Sequence, residues 1–174
     1  MPWTPAYEAS QEEALVDNVH FIFQRDFKAA LDQRYPIEAA LPADDPRHLK
    51  DFQERGLGQI LGNAFPSLAI APHRGSSSDG PNGERLGEDV LIHVHIGVVD
   101  DSHDNVTRRV MRYRATADMA LRSANISDYL RNMSTESFGF VNDRIDYFYG
   151  PIGEEKSVLF RMVLMQLHIQ INER

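Results

Sequence analysis

The sequence predicts an α/β domain of the α+β kind, with a mostly antiparallel sheet of about four strands flanked by helices and a C-terminal β-hairpin. Three observations predict it. Apolar residues recur at helical spacing in two long segments, and they alternate along one face of a run near the middle of the chain. The last third holds two more strand-like segments separated by a short turn, which is the pattern of a β-hairpin.

The first helix is predicted over residues 8–33. Ser10 followed three residues later by Glu13 forms a capping box, in which each side chain satisfies a backbone amide of the first turn. Pro36 is expected to end the helix. The apolar residues that recur at helical spacing are Leu15, Val19, Ile22, Phe23, Phe27, Ala30 and Leu31.

The next segments carry weaker patterns. Residues 45–62 have apolar residues at helical spacing, but three glycines weaken the pattern, so we expect only a short or broken helix. Residues 65–72 form a short apolar run bounded by Pro66 and Pro72, which predicts a strand with prolines at its ends. Residues 73–89 are rich in serine and glycine, so we expect a flexible surface loop. This loop lacks the lysine and the spacing of a nucleotide-binding phosphate loop.

The clearest strand covers residues 90–99. His93 and His95 lie on one of its faces, and five apolar residues alternate with them on the other. Asp100 and the acidic residues after it precede a second helix, predicted from 105 to about 124, where apolar residues recur in steps of three and four. The five apolar strand residues are Val90, Ile92, Val94, Ile96 and Val98.

The closing hairpin is predicted from strands over 138–151 and 157–171, with a turn at 150–155. The second strand is apolar on both faces in its first half and alternates in its second half. We therefore expect the first half of this strand to be buried on both faces and the second half on one face. A strand of about 14 residues exceeds the usual five or six, so part of it is expected to pair with, or project toward, something beyond its own domain.

Composition limits the possible functions. The chain has 174 residues, no cysteine, and 18 basic against 26 acidic side chains, for a net charge of −8. We expect one domain over residues 1–174, because a chain of this length builds one good core. Without cysteine there is no disulfide, no thiolate nucleophile and no cysteine-based metal site. No segment approaches the ~20 apolar residues of a membrane helix, so no membrane partner is expected.

Charge is distributed unevenly along the chain. Residues 105–132 contain six arginines and two aspartates, a local charge of +4, which leaves −12 for the remainder. Arg108, Arg112 and Arg122 fall on the helix face opposite the apolar residues. Such a surface fits an acidic partner, an identical subunit or nucleic acid, although the overall acidic charge argues against nucleic-acid binding over the whole surface. A solvated helix surface is the alternative.

The histidines leave open a metal-dependent hydrolase. His93 and His95 have the spacing that brings two imidazoles to one metal ion, and His103 follows downstream among several aspartates. The same pattern is common on half-exposed strands that bind no metal. A second alternative is a small-ligand-binding regulatory domain with an apolar pocket lined by Phe148, Tyr149 and Phe160.

The order of elements carries a resemblance. In chain order it is a helix followed by Tyr35-Pro36, a strand bearing Phe65-Pro66, a long Gly-rich loop, a strand over 90–96, an acidic turn into an amphipathic helix with Tyr113 and Ala117, and a β-hairpin. This layout resembles tail terminator (tail completion) proteins of long-tailed bacteriophages. The resemblance covers most of the chain and is one of layout, with no single diagnostic motif.

The resemblance implies a structural virion protein that forms a ring, typically a hexamer, caps the tail tube and joins it to the head-side connector or neck protein. It implies no enzymatic activity and no cofactor, assembly in the host cytoplasm, and contact with nucleic acid only through the ring lumen. In such a ring the basic face of one subunit would meet the acidic face of the next. The expected interface residues are Arg108, Arg109, Arg112, Asp100 and Asp101.

Overall fold

The computed structural model describes residues 11–42, 45, 47, 51–54, 67–79, 85–123 and 138–173, and the fold is given for these residues. They form three helices and five strands. In chain order the elements are α1 (Gln11–Arg34), α2 (Pro36–Ala39), β1 (Asp51–Glu54), β2 (Ser67–Asp79), β3 (Arg85–Asp100), α3 (His103–Ser123), β4 (Phe138–Glu155) and β5 (Val158–Glu173).

The five strands form one sheet in the order β1-β2-β3-β5-β4. The pairs β2–β3, β3–β5 and β4–β5 are antiparallel, and β1 runs parallel to β2. The predicted α+β fold, with an antiparallel four-stranded sheet and flanking helices, is therefore confirmed, and β1 adds a fifth strand at one edge.

The broken helix predicted over 45–62 is wrong at 51–54, where the chain forms β1. The glycines of this segment lower its helical preference, whereas pairing with β2 satisfies the backbone groups of 51–54. Residues 55–62 lie outside the described part of the chain.

The predicted first helix agrees closely with α1. Pro36 follows α1 and begins the short helix α2, at the first helical position, where proline leaves no N–H unpaired. The capping box predicted at Ser10 and Glu13 cannot be compared, because Ser10 and the side chain of Glu13 lie outside the described part.

The loop predicted at 73–89 is instead largely strand. Residues 73–79 continue β2 and residues 85–89 begin β3, and the two pair antiparallel. The scarcity of apolar residues does not prevent this, because a ladder of backbone hydrogen bonds needs no apolar side chains. We call 73–79 together with 85–89 the β2–β3 arm. Residues 80–84 lie outside the described part.

The two faces of the sheet have different surroundings. Helices α1 and α3 contact each other and pack on the same face, which we call the helix-covered face. No described helix lies on the opposite, outer face. The strand residues in the core on the helix-covered face are Leu68, Ile70, Val90, Ile92, Val94, Ile96, Val98, Leu159, Val163, Met165, Leu167 and Ile169. The outer face carries Ala69, Ala71, Leu91, His93, His95, Asp146, Phe148, Phe160, Met162, Leu164, Gln166 and His168.

β5 lies inside the sheet. β3 pairs with it from Leu159 to Ile171, and β4 pairs with it from Val158 to Glu173. The expectation that part of this strand pairs beyond its own domain is therefore wrong, because β3 and β4 use its backbone groups. The expected burial on both faces of its first half is also wrong. Its side chains on the outer face there are only half-buried: Phe160, Met162 and Leu164.

The turn of the closing hairpin lies later than predicted. Residues 150–155 belong to β4, which shifts register between Tyr149 and Ile152, and the turn consists of Lys156 and Ser157. Both have positive φ, at 50° and 65°, as a two-residue hairpin turn of the mirror-image type requires. Gly153, on β4 before this turn, makes room for the Phe160 ring of β5, because a Cβ at position 153 would overlap that ring.

Candidate functional site

The predicted interface residues lie where β3 ends and α3 begins. The Ser102 hydroxyl accepts a hydrogen bond from the Asn105 N–H at 3.2 Å, and the Ser102 carbonyl accepts one from the Val106 N–H at 2.9 Å. Ser102 is therefore the N-cap of α3. Asp100 accepts a hydrogen bond from the Asp101 N–H at 2.8 Å, and its other carboxylate oxygen is directed at α3.

Four side chains form a charge cluster, which we call the buried charge cluster because all but the last are buried: Glu38, Asp100, Arg109 and Arg112. Arg109 Nε donates to Asp100 Oδ2 at 2.9 Å, and Arg109 Nη1 lies 2.7 Å from Glu38 Oε2. Arg112 Nη1 donates to Glu38 Oε1 at 2.6 Å. The side chains of Arg109, Glu38 and Asp100 are 8%, 3% and 1% exposed. The cluster joins α2, the end of β3 and α3.

The charges of this cluster balance. Two carboxylates face two guanidinium groups, which is the condition under which ions can be buried without a large uncompensated desolvation cost. Burial raises the pKa of Asp100, but hydrogen bonds from Asp101 and Arg109 outweigh it and hold that pKa below its ordinary value. Burial and then the negative charge of Glu38 raise the pKa of Tyr113, on the next turn of α3, to about 12. Asp100 is therefore ionised at neutral pH and Tyr113 is not.

The five predicted interface residues differ in exposure. Arg109 and Asp100 are buried and pair with each other within the chain. Arg108 and Asp101 are exposed, and Arg112 is partly exposed while it pairs with Glu38. The roles of all five residues at an interface stay predictions.

Two large exposed apolar side chains precede members of the cluster in the chain. Ile37 is 80% exposed and precedes Glu38, and Met111 is 51% exposed and precedes Arg112. The ion pair between Glu38 and Arg112 holds α2 against α3, so both apolar residues belong to elements joined at this point. We call the surface formed by Ile37, Arg108, Met111 and Arg112 the α2–α3 surface.

Sequence reasoning did not identify Glu38 or Ile37. Glu38 meets Arg112 across 74 positions of the chain, and no local pattern reports such a contact. The local signal for the helix that carries both residues was the Tyr35-Pro36 step, because proline is frequent at the first position of a helix.

The outer face carries a histidine row, formed by His73, His93 and His95. The His73 and His93 rings stack with centroids 4.0 Å apart, and the His95 ring meets His93 edge-on at 5.9 Å. Gln166 Nε2 lies 3.0 Å from His93 Nε2. Within the described part of the chain, no three histidine or carboxylate side chains are placed to hold one metal ion.

The structure separates the residues of the hydrolase alternative. Asp100 lies five residues beyond His95 on the same extended strand, about 16 Å away, and it pairs with Arg109.

The predicted apolar pocket is also corrected. Phe148 and Tyr149 are neighbours on β4, so their side chains lie on opposite faces of the sheet. Phe148 is on the outer face and 57% exposed, whereas Tyr149 packs against the core with the Arg161 guanidinium 5.5 Å from its ring. The two residues cannot line one pocket.

The comparisons with known proteins are negative, since the chain matches no protein-family model and no curated protein. None of the helices in the described ranges is long and apolar enough to cross a membrane.

Proposed function

We propose that the chain is a structural subunit of a ring, likened by its layout to phage tail terminator proteins, and that the α2–α3 surface contacts the neighbouring subunit. The observation that carries this proposal is the exposure of two large apolar side chains, Ile37 and Met111, which precede Glu38 and Arg112 in the chain. Exposed apolar residues with arginine beside them are typical of protein–protein interfaces.

The buried charge cluster supports this proposal. Glu38 pairs with both Arg109 and Arg112, so the end of α1, the short helix α2 and the start of α3 are held in fixed relative positions. A rigid surface loses little conformational entropy on binding, which favours association. The cluster thus positions the α2–α3 surface, to which Arg112 also belongs.

The charge distribution fits a head-to-tail contact. The segment 105–132 carries +4 and the remainder −12 in the sequence. Arg109 is buried and paired inside the chain, so the basic surface that can meet an acidic surface on the next copy is formed by Arg108 and the partly exposed Arg112. Contacts of this heterologous kind build a closed ring when the rotation between copies divides a full turn. In the proposed role a hexameric ring, assembled in the host cytoplasm, caps the tail tube and meets the head-side connector in the virion.

Native mass spectrometry at micromolar concentration tests the proposal, with a hexamer as the expected result. Ile37→Asp and Met111→Asp are expected to convert the hexamer to monomer, because each places a carboxylate in the apolar centre of the contact. Phe148→Asp is the matched control, since it adds the same charge to an exposed apolar position on the outer face. A monomeric wild-type protein would contradict the ring.

Charge reversal tests the arginines separately. Arg108→Glu together with Arg112→Glu is expected to weaken assembly, and Arg108→Glu alone should weaken it without disturbing the pair with Glu38. Arg122→Glu is the control, because Arg122 is exposed further along α3 and pairs with Asp118. Unchanged sedimentation of the Arg108 and Arg112 double variant would remove these residues from the interface.

A further inference from the structure

The histidine row lies where β2 changes register. The pairing of β2 with β3 shifts between Pro72 and Arg74, so His73 occupies a β-bulge. A bulge redirects the side chain that it holds. Here the His73 ring lies nearly flat against His93, with an angle of 14° between the planes. The β2–β3 arm begins at this contact.

His93 also contacts β5. Gln166 Nε2, which lies 3.0 Å away, can only donate a hydrogen bond, so His93 Nε2 accepts it. The ring can accept only while it is neutral. Protonation of His93 would replace the acceptor with a donor and leave two N–H groups facing each other.

His95 supplies a second neutral ring. Its Nε2 is buried and has no hydrogen-bond partner in the described part of the chain. Burial, followed by the charge that His93 would carry, lowers the pKa of His95 to about 4. Burial and then the neighbouring His73 lower the pKa of His93. Both rings are therefore neutral at pH 7.

Among the described side chains no carboxylate contacts His93 or His95. Asp146 is occupied, because its carboxylate lies 2.7 Å from Arg144 and 3.3 Å from His168. Asp89 is on the same face of β3 but four residues from His93, about 13 Å along the strand. In the described ranges, the titratable, charged and amide groups that face His93 and His95 are His73 from β2, Asp89 from β3, Gln166 and His168 from β5, and Arg144 and Asp146 from β4.

We propose that the histidine row is a proton-sensitive contact that holds the β2–β3 arm on the sheet at neutral pH and releases it on acidification. The first proton on His93 removes the hydrogen bond from Gln166 and places a charge against the His73 ring. Release is confined to the arm, because the core residues of the same strands lie on the helix-covered face. The inference does not depend on the proposed contact between subunits, which involves α2 and α3.

Amide hydrogen exchange measured by mass spectrometry on the whole chain tests this, at pH 7.5 and pH 5.0 with rates corrected for intrinsic exchange. Peptides from 73–79 and 85–89 are expected to lose protection by on the order of tenfold at pH 5.0. Peptides from α1 and α3 should keep theirs. Equal protection of the arm at the two pH values would overturn the proposal.

Two variants locate the titrating group. His93→Phe keeps a flat ring for the stack but gains no proton, so the arm should show the same protection at both pH values. His103→Phe is the control, because His103 is exposed at the start of α3, and this variant should keep the full pH response. A pH response in His93→Phe as large as that of the wild-type protein would overturn the assignment.

The wild-type protein supplies a second measurement in case His93→Phe disturbs the strand. Imidazole C–H resonances followed by NMR should give midpoints for His93 and His95 below 6.5, with arm amide shifts that follow the His93 titration. Midpoints at 6.5 or above, or arm amides that do not respond, would contradict the proposal.

Discussion

The helix-covered face and the outer face belong to the same strands but differ in what each side chain meets. On the helix-covered face every strand residue of the core is at least nine-tenths buried against α1, α3 or another strand. On the outer face the apolar side chains of β5 are half-buried, Phe148 is exposed, and imidazoles contact one another. The helix-covered face therefore accounts for most of the stability, and the outer face contains the groups whose state can change with conditions.

The largest expected effect compares one residue type on the two faces. Phe23→Ala, at a fully buried position of α1 over the helix-covered face, should lower the free energy of unfolding by about 4 kcal/mol through lost burial and a cavity. Phe148→Ala on the outer face should change it by no more than about 0.5 kcal/mol. Urea unfolding of both variants measures the difference, and similar losses would contradict the contrast between the faces.

The buried charge cluster should respond almost as strongly. Arg109→Met leaves Glu38 and Asp100 without their shared partner in a buried position, so we expect a loss of about 3 kcal/mol in chemical denaturation. Arg122→Met, which breaks the exposed pair with Asp118, should cost at most about 0.5 kcal/mol. A loss below about 1 kcal/mol for Arg109→Met would mean that the cluster does not hold α2 in place.

Acidification should weaken the outer face before it affects the carboxylates. The pKa of His95 is about 4 in the folded protein and about 6.5 in an unfolded chain. The unfolded chain therefore takes up the proton first, and stability falls as pH drops from 6.5 toward 4. Asp100, whose pKa is lowered, loses its contribution only below its ordinary value of 3.8.

Urea unfolding at pH 7.5 and pH 5.0 should therefore differ by about 2 kcal/mol, because each pKa unit corresponds to about 1.4 kcal/mol. His95→Gln should remove most of this difference, and His103→Gln should leave it unchanged. A free energy of unfolding that is the same at the two pH values would show that His95 is protonated as easily in the folded protein as in the unfolded chain.

The smallest effect concerns glycine on the outer face. Gly153→Ala should cost about 1 kcal/mol, because the Phe160 ring must move off the strand to make room for the new Cβ. Gly150→Ala should cost less, since the new Cβ would lie 3.5 Å from its nearest neighbour, the Met162 carbonyl oxygen. In a Phe160→Ala background the effect of Gly153→Ala should disappear, which a double-mutant cycle measures.

Local patterns in the sequence account for the helix-covered face. Helical spacing identified α1 and α3, and alternation placed Val90 through Val98 on one buried face of β3. The same reasoning mistook the β2–β3 arm for a loop and 51–54 for helix, because pairing with a distant strand overrides weak local preference.

The candidate site was less accessible from the sequence. The arginines of α3 were identified by their charge, but their burial was not, because it depends on Glu38 and on the direction of the Asp100 side chain. The histidine pair on β3 was identified by spacing. His73, the third member of the histidine row, reaches the other two through a β-bulge that no local sequence pattern predicts.

The position of β5 between β3 and β4 bears on how the chain folds. The pairs that join β3 to β5 link residues 59 to 83 positions apart, from Asp100 with Leu159 to Glu88 with Ile171. Contacts this distant require a large loop to close before they form, which slows folding. Until the β4–β5 hairpin docks, the full length of β3 is an open sheet edge that other chains can pair with. Aggregation during refolding should therefore increase with protein concentration and begin at β3.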